Sequence, residues 1–237
     1  MSVEQDDVSH WGRRYTTAMG ITATGVAEIP DPQVLAGITA FRGAAKNSCI
    51  MDAGCGPGRY AKSLLDNLPE GGSLLAVDGV ADVVGAVRER FRGQGVFGEV
   101  VDLNDPKMIT TLSNYPIGGV LCADVLSVVK TPLALLQNLH TVTISGGLVV
   151  LTFQTTQDET MKDGPEIPSD LPGTVVKATT DKTTFRFFEV EAARQLIKNC
   201  GYTILEWNLF ERREPPHVGR EYEHTHVEVC ATLQVEK

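Results

Sequence analysis

The chain has 237 residues, 42% of them hydrophobic, and its 30 acidic and 21 basic side chains give a net charge of -9. This length and apolar content are enough for one domain with a substantial core. The acidic balance, without any run of Lys or Arg, argues against a nucleic-acid partner and against attachment to an anionic membrane.

The N-terminal stretch MSVEQDDVSHWGRRY lacks the basic start and apolar core of a secretion signal, and no apolar run reaches membrane-spanning length. We therefore expect a cytoplasmic protein. The five cysteines are widely spaced and include no C-x-x-C pair. This spacing predicts reduced and mostly buried thiols, rather than a disulfide framework or a zinc site.

Strand-like and helix-like patterns alternate through the first two thirds of the chain. An apolar helix stripe that ends near Phe41 precedes the first strand. The predicted strands are Cys49–Ala53, Ser73–Val77, Gly98–Asp102, Gly119–Ala123 and Leu148–Phe153, and the predicted helices between them begin near Pro57, Val80 and Leu133. This alternation predicts βαβ units and a parallel sheet with helices on both faces.

The remaining third of the chain follows a different pattern. Gln154 to Lys182 is polar, contains three prolines and is long for a connection, so we predict a functional loop or lid over the acceptor pocket. A helix that stops at Gly201 follows it. Two strands without a helix between them, Tyr202–Phe210 and Val227–Val235, predict an antiparallel pair at one edge of the sheet. We expect residues 1–237 to form one domain, with residues 1–46 as a helical lid.

The stretch IMDAGCGPGRY places Gly54, Gly56 and Gly58 between a predicted strand and a helix. Ligands bind at this position, outside the carboxyl ends of parallel strands. The spacing differs from the dinucleotide fingerprint G-x-G-x-x-G, because Arg59 takes the place of the last glycine. Asp78 ends the next strand, where it could accept hydrogen bonds from a ribose diol. A tight turn that binds no ligand is the alternative.

Several stretches resemble the class I S-adenosylmethionine-dependent methyltransferases. CIMDAGCGPGRYAKSLL looks like their first motif, LLAVDGV like the acidic second and VVDLND like the adenine-contacting third. VLCADVLSVVKTPLALLQNLHTVTISGGLVVLTF is similar to their fourth strand, helix and fifth strand, and FFEVEAARQLIKNCGYTILEW to the helix and sixth strand that follow. The resemblance implies an α/β fold, with a Rossmann-like, mostly parallel sheet of seven strands and an antiparallel final strand.

The resemblance also implies S-adenosylmethionine as the cofactor, and it assigns roles to individual residues. The glycines would lie against the methionine part, Asp78 would hold the ribose hydroxyls, and the other implied contacts are Asp52 as anchor of the glycine loop, Asp102 and Leu103 at the adenine, and Ala123 and Asp124 near the sulfonium and the acceptor. No pyrophosphate has to be bound, so the loop need only admit an amino-acid tail beside its backbone.

The histidines are candidates for the general base that a neutral or protonated acceptor requires. His217, His224 and His226 surround the start of the last predicted strand, at the same sheet edge as the glycine loop. We expect one of them to act as the base or to orient the acceptor, with His224 or His226 preferred. The alternative is that these histidines lie in a solvated loop and at the solvated start of a strand, without a catalytic role. Asp124 is the next candidate for catalysis.

Three further histidine features are assigned more cautiously. His10 in HWGRRY could contact the acceptor or belong to an ordinary helix, and His140 lies beyond an apolar stripe and is expected to be structural. His224, His226 and Glu228 share one face of a strand by its period-two alternation. We nevertheless expect no metal, because an isolated H-x-H-x-E has no recognised context.

We therefore predict a methyltransferase that acts on an oxygen or nitrogen of a small molecule, in a natural-product pathway. The absence of an Asn-Pro-Pro-Tyr motif and of a Pro-Cys nucleophile argues against methylation of nucleic-acid bases or protein glutamine. A methyltransferase-like fold recruited to ring closure, such as aziridine formation, or serving with a partner subunit is the alternative. A nicotinamide-dependent oxidoreductase fits the glycine spacing and the antiparallel finish less well.

Overall fold

The computed structural model describes residues 30–178, 184–216 and 221–237. The helices are α1 Pro32–Ile38, α2 Ala61–Leu65, α3 Ala81–Arg90, α4 Lys107–Leu112, α5 Pro132–Val142 and α6 Val190–Asn199, with 3₁₀ turns at Thr39–Gly43 and Glu159–Lys162. The strands are β1 Cys49–Ala53, β2 Ser73–Asp78, β3 Val96–Val100, β4 Ile117–Cys122, β5 Thr143–Gln154, β6 Glu166–Ile167, β7 Thr174–Ala178, β8 Thr184–Phe188, β9 Tyr202–Glu214 and β10 His224–Val235. The predicted contacts of His10 and His217 lie outside the described residues.

A seven-stranded sheet in the order β3-β2-β1-β4-β5-β10-β9 forms the centre of the structure. Strands β1 to β5 are parallel, whereas β10 runs antiparallel to both of its neighbours, β5 and β9. The predicted α/β fold with an antiparallel final strand is confirmed. In the register of this sheet Ala53 pairs with Val77, and Asp52 pairs with Leu121. The carboxyl ends of β1, β2 and β4 are therefore neighbours.

Helices cover both faces of the sheet, as predicted. Side chains of α1 to α3, such as Val34, Leu64 and Val87, belong to the core on one face, and those of α4 to α6, such as Met108 and Leu135, belong to the core on the other. Every residue of β1 is buried. Burial on both faces explains why all residues of this strand except Asp52 are apolar, without an alternating pattern.

The last two strands extend further than their apolar residues predict. The antiparallel pair at the sheet edge is confirmed, but β9 continues to Glu214 and β10 begins at His224. The added segments carry charged and polar side chains. Several of these are buried because they pair with one another, a compensation that an apolar pattern in the sequence does not reveal.

Within the predicted loop Gln154 to Lys182, the described residues 154–178 are more regular than predicted. They contain the second 3₁₀ turn, β6 and β7, and β7 pairs with β8 in a separate antiparallel three-stranded sheet. Arg186 in β8 holds this segment through Ser169 Oγ and Asp170 Oδ1, each 2.9 Å from a guanidinium nitrogen. Prolines suggested an irregular connection, whereas long-range pairing with β8 makes it a sheet. Its role as a cover over the acceptor stays a prediction.

Smaller differences concern the ends of elements. Helix α2 begins at Ala61 rather than near Pro57, because the chain turns through the glycine loop before it. Strand β3 ends at Val100 because Asp102 begins a turn. Helix α4 was not predicted.

All five cysteines are buried and free, which confirms the prediction of reduced, buried thiols. Among the described residues, no helix has the length and apolar character needed to cross a membrane.

Candidate cofactor and acceptor site

The glycine loop leaves β1 as a series of left-handed backbone conformations. Gly54, Gly56 and Gly58 have φ values of 75°, 49° and 85°. The N–H groups of Gly54 and Cys55 donate to the carbonyl oxygen of Val77 at 2.8 and 3.0 Å, so the loop starts against the end of β2. Residues with a Cβ rarely adopt positive φ, which explains the choice of glycine at these positions.

Replacing Gly54 by alanine is expected to destabilise the fold by about 1–3 kcal/mol, because the φ is strained and the new methyl group overpacks a core contact. A Cβ at Gly54 would lie 2.4 Å from Val125 Cγ2. Gly146 has the same φ of 75° and no atom within 4 Å of such a Cβ. Gly146→Ala is therefore a matched control for the backbone strain alone. Urea unfolding measures the free energy of unfolding of both variants. An equal decrease in this free energy for Gly54→Ala and Gly146→Ala would contradict the steric role of Gly54.

Asp78 closes the loop from the end of β2. Its Oδ2 accepts a hydrogen bond from Gly56 N–H at 3.0 Å, and its Oδ1 accepts one from Val80 N–H at 3.0 Å. Burial raises the pKa of Asp78, and the backbone N–H groups of Val80, Gly56 and Gly79 oppose this effect. A carboxylate offers about four acceptor positions, so capacity remains for the hydroxyl groups of a ribose.

Asp52 lies beneath this loop as a buried carboxyl. Burial and then the negative charge of Asp78 raise the pKa of Asp52 to about 7, while the nearby charge of Arg59 opposes the shift. The sequence resemblance made Asp52 the anchor of the loop. In the described residues the side-chain bond to a loop glycine comes from Asp78, and Asp52 interacts electrostatically with Asp78 and Arg59.

The residues expected at the adenine are placed differently from one another. Asp102 is exposed, and its Oδ1 accepts hydrogen bonds from N and Nδ2 of Asn104 at 2.9 and 3.0 Å. Leu103 is buried in the core on the α4 to α6 face. Their contact with an adenine stays a prediction.

Asp124 follows β4 and half-buried Ala123, and it adopts a strained conformation with φ of 61°. Its N–H donates to Thr152 Oγ1 at 2.8 Å, and its Oδ2 accepts from Arg59 Nη1 at 2.9 Å. The Asp124 side chain remains 39% exposed. Strained residues held in place in this way are concentrated at functional sites. The arginine in the glycine loop thus connects the predicted cofactor site to the predicted acceptor site, a pairing that sequence spacing did not reveal.

A cluster of buried charges continues from Asp124 along β9 and β10. Arg212 contacts Glu214, lies 2.9 Å from Glu228 Oε1 and lies 3.8 Å from Asp31 Oδ2 at the start of α1. Burial and the charge of Asp124 raise the pKa of Glu228, and Arg212 opposes this shift. The sequence pattern placed Glu228 on the same strand face as the two histidines, but it did not reveal that Arg212 and Glu214 belong to this cluster.

His224 and His226 are buried at the end of this cluster. The Nε2 atoms of both rings lie 3.5 Å from Glu214 Oε2. Burial alone would lower the pKa of His226, but its hydrogen bond to Asp158 and the nearby carboxylate of Glu214 outweigh burial and raise the pKa to about 9. A ring that is protonated at neutral pH does not serve as a base. The general-base role of these histidines stays a prediction, and their burial favours a different role.

His140 lies in the last turn of α5, where its Nε2 is 3.2 Å from the carbonyl oxygens of Gly201 and Glu236. These contacts connect α5 to the start of β9 and to the end of β10. They agree with the expected structural role of this residue.

Residues 51–149 match the family model for a methyltransferase domain. These residues include the glycine loop, Asp78 and Asp124. This match covers less than half of the chain, and it agrees with the predicted resemblance to the class I S-adenosylmethionine-dependent methyltransferases. S-adenosylmethionine is the cofactor that a methyltransferase domain at these residues indicates. No curated protein sequence matches this chain.

The solved structures that share the fold of this chain include the following three. The Burkholderia thailandensis 1,6-didemethyltoxoflavin-N1-methyltransferase, with 1,6-didemethyltoxoflavin and S-adenosylhomocysteine bound, is 14% identical, with 100% of this chain and 92% of that chain covered and a TM-score of 0.64. A second structure is described by the conversion of a disulfide bond into a thioacetal group during echinomycin biosynthesis. It is 18% identical, with 89% of this chain and 84% of that chain covered and a TM-score of 0.61. The cyclase SpnF is 14% identical, with coverage of 86% and 81% and a TM-score of 0.57.

Proposed function

We propose that this chain transfers a methyl group from S-adenosylmethionine to an oxygen or nitrogen of a small molecule in a biosynthetic pathway. The observation that carries the proposal is the meeting of three strand ends. The glycine loop is bonded to Asp78 through Gly56 at 3.0 Å, and the adjacent Arg59 is bonded to Asp124 at 2.9 Å. The protein groups that we assign to the cofactor and to the acceptor thus lie side by side.

The residues of the loop fit the methionine and ribose parts of the cofactor. When bound, S-adenosylmethionine supplies an electrophilic methyl group. Asp78 has acceptor capacity for the ribose hydroxyls, and the glycine backbone admits an amino-acid tail because it carries no side chains. The residues contribute mainly by holding the acceptor in line with the methyl group.

Asp124 is the group that we assign to the acceptor. Its carboxylate is partly exposed, is fixed by Arg59 and Thr152, and can accept a hydrogen bond from an O–H or N–H of the acceptor. His217, His224 and His226 remain the second choice for a base. His224 and His226 are buried, whereas Asp124 is partly exposed, which supports Asp124 as the first choice.

Two observations support a small acceptor. The chain carries a net charge of -9, which disfavours polyanionic nucleic acids. Two of the structures with this fold are named for small molecules, a toxoflavin precursor and echinomycin. The cyclase SpnF has a similar fold, so a non-methylating reaction is the second candidate.

Replacing Asp78 by alanine is expected to weaken the binding of S-adenosylhomocysteine by about 1–3 kcal/mol, because hydroxyl partners would be left without an acceptor. Calorimetry measures this change. Asp66→Ala, which removes an exposed carboxylate paired with Lys62, is the matched control. Unchanged affinity in Asp78→Ala would remove the assignment of this cofactor site.

Incubation of candidate small molecules with methyl-labelled S-adenosylmethionine, followed by mass analysis, tests the transfer itself. A methyltransferase gives a labelled product only with the methyl donor. A reaction that runs equally well with S-adenosylhomocysteine would replace methyl transfer by the non-methylating alternative.

A further inference from the structure

The pairing of β9 with β10 brings a carboxylate against two histidines. His224 is the partner of Glu214 in the strand register, and His226 lies two residues further on the same face of β10. All three residues are buried, with exposures of 7% for Glu214, 1% for His224 and 3% for His226. The cluster is thus a built feature of the fold rather than a chance group of surface side chains.

The distances within this cluster resemble the spacing of metal ligands. Glu214 Oε2 lies 3.5 Å from the Nε2 atoms of His224 and of His226, and the three ligand atoms lie within 4.8 Å of one another. A charge-assisted hydrogen bond would be shorter, at about 2.7–2.9 Å. Ligand atoms on a tetrahedral zinc ion, each about 2.0–2.2 Å from the metal, lie about 3.3–3.5 Å apart.

The other ring nitrogen of each histidine faces an acceptor. His226 Nδ1 lies 2.9 Å from Asp158 Oδ2, and His224 Nδ1 lies 3.1 Å from the carbonyl oxygen of Tyr222. When such a ring is neutral and its Nδ1–H donates, Nε2 carries the lone pair, and a metal ion that binds Nε2 displaces any proton held there. Metal-binding histidines almost always have such a partner on the second nitrogen.

The carboxylate is also held by a neighbour. Arg212 Nη1 donates to Glu214 Oε1, which leaves Oε2 as the oxygen that faces the two imidazoles. Ligating carboxylates are commonly hydrogen-bonded in this way. Two imidazole nitrogens and one carboxylate oxygen suit zinc and other first-row transition ions, whereas magnesium and calcium prefer oxygen ligands alone.

We infer that Glu214, His224 and His226 bind one divalent transition-metal ion, with Zn²⁺ as the best match to the two imidazoles, the carboxylate and the distances of 3.5 Å between the Nε2 atoms and Glu214 Oε2. The three protein ligands leave a fourth position for water or another group. The ion joins β9 to β10, and Asp158 extends the connection to the segment after β5. This inference departs from the sequence-based expectation of no metal, and it does not depend on the proposed methyl transfer.

Metal binding is tested on tag-free full-length protein that has been stripped with a chelator and dialysed. With added Zn²⁺ we expect one equivalent by elemental analysis and an increase in melting temperature. Co²⁺ should give the visible absorption of a tetrahedral site, and Zn²⁺ should displace it. These measurements use the unaltered protein. Failure to retain zinc, or a Co²⁺ spectrum of a purely aqueous ion, would overturn the inference and leave the cluster with a structural role between β9 and β10.

Variants test which residues hold the ion. Glu214→Gln, which keeps the shape of the side chain, and His224→Asn are each expected to weaken zinc binding at least about a hundredfold. Asp158→Asn, which changes an outer partner, is expected to weaken it about 10–100-fold. His140→Asn is the control, because this histidine is bound to main-chain carbonyls far along the chain. Zinc affinity that falls in His140→Asn but not in Glu214→Gln would overturn the assignment.

Discussion

Asp124→Asn is expected to lower the rate of methyl transfer at least about a hundredfold, equivalent to about 2.7 kcal/mol in the activation barrier, without weakening cofactor binding. Asparagine preserves the size of the side chain and tolerates the φ of 61° that Asp124 adopts. It can also keep hydrogen bonds with Arg59 and Thr152. The substitution therefore removes the carboxylate charge and its basicity while the local structure is retained.

Single-turnover rates and calorimetric affinity for S-adenosylhomocysteine together test this expectation. Asp66→Asn is the control, because Asp66 is an exposed carboxylate on the far end of α2 that pairs with Lys62. A normal rate in Asp124→Asn would transfer the role to the histidines. In that case His224→Asn and His226→Asn would have to show the rate loss, measured with and without added zinc.

Asp52→Asn is expected to raise the free energy of unfolding of the cofactor-free protein at pH 8 by at most about 4 kcal/mol, which is the cost of ionising a carboxyl whose pKa is raised by about three units. Burial and the charge of Asp78 raise the pKa of Asp52 from 3.8 to about 7. Between these values the folded protein holds more protons than the unfolded chain. Stability contributed by the protonated carboxyl is therefore lost as the pH rises from about 4 to about 7.

Urea unfolding at pH 5 and pH 8 measures this effect as a difference between the two proteins. The gain from Asp52→Asn should be small at pH 5 and reach its full value at pH 8, whereas Asp66→Asn should show no such change with pH. Cofactor affinity should fall in Asp52→Asn, because a negative charge beneath the loop is lost. An equal gain at both pH values would show that the carboxyl is not shifted in the folded protein.

Much of the cofactor site could be predicted from sequence because its signals are local. Gly54, Gly56 and Gly58 follow an apolar strand directly, and the structure gives all three the positive φ that only glycine adopts easily. Asp78 was placed correctly at the end of its strand. The hydrogen bond from Gly56 to Asp78 could not be predicted, because it depends on the distance between two strand ends after the sheet has formed.

The acceptor side was less predictable. Arg59 was noticed only as a departure from the dinucleotide fingerprint, whereas the structure pairs it with Asp124, 65 residues further along the chain. The segment from Gln154 to Lys182 was predicted as a loop because its prolines and polar residues carry no strong strand pattern. Its pairing with β8 is a tertiary contact that overrides this weak local preference.

By itself, the sequence determined the alternation of strands and helices, the parallel sheet with an antiparallel end, and the glycine loop at its first strand. Each of these depends on periods of two or 3.6 residues and on the backbone freedom of glycine, which act over short stretches. Only the tertiary structure decided that Glu214 faces His224 and that Asp158 reaches His226 across 68 residues. Strand register and chain crossings create these contacts, and the free energy of pairing buried charges is gained only when distant segments meet.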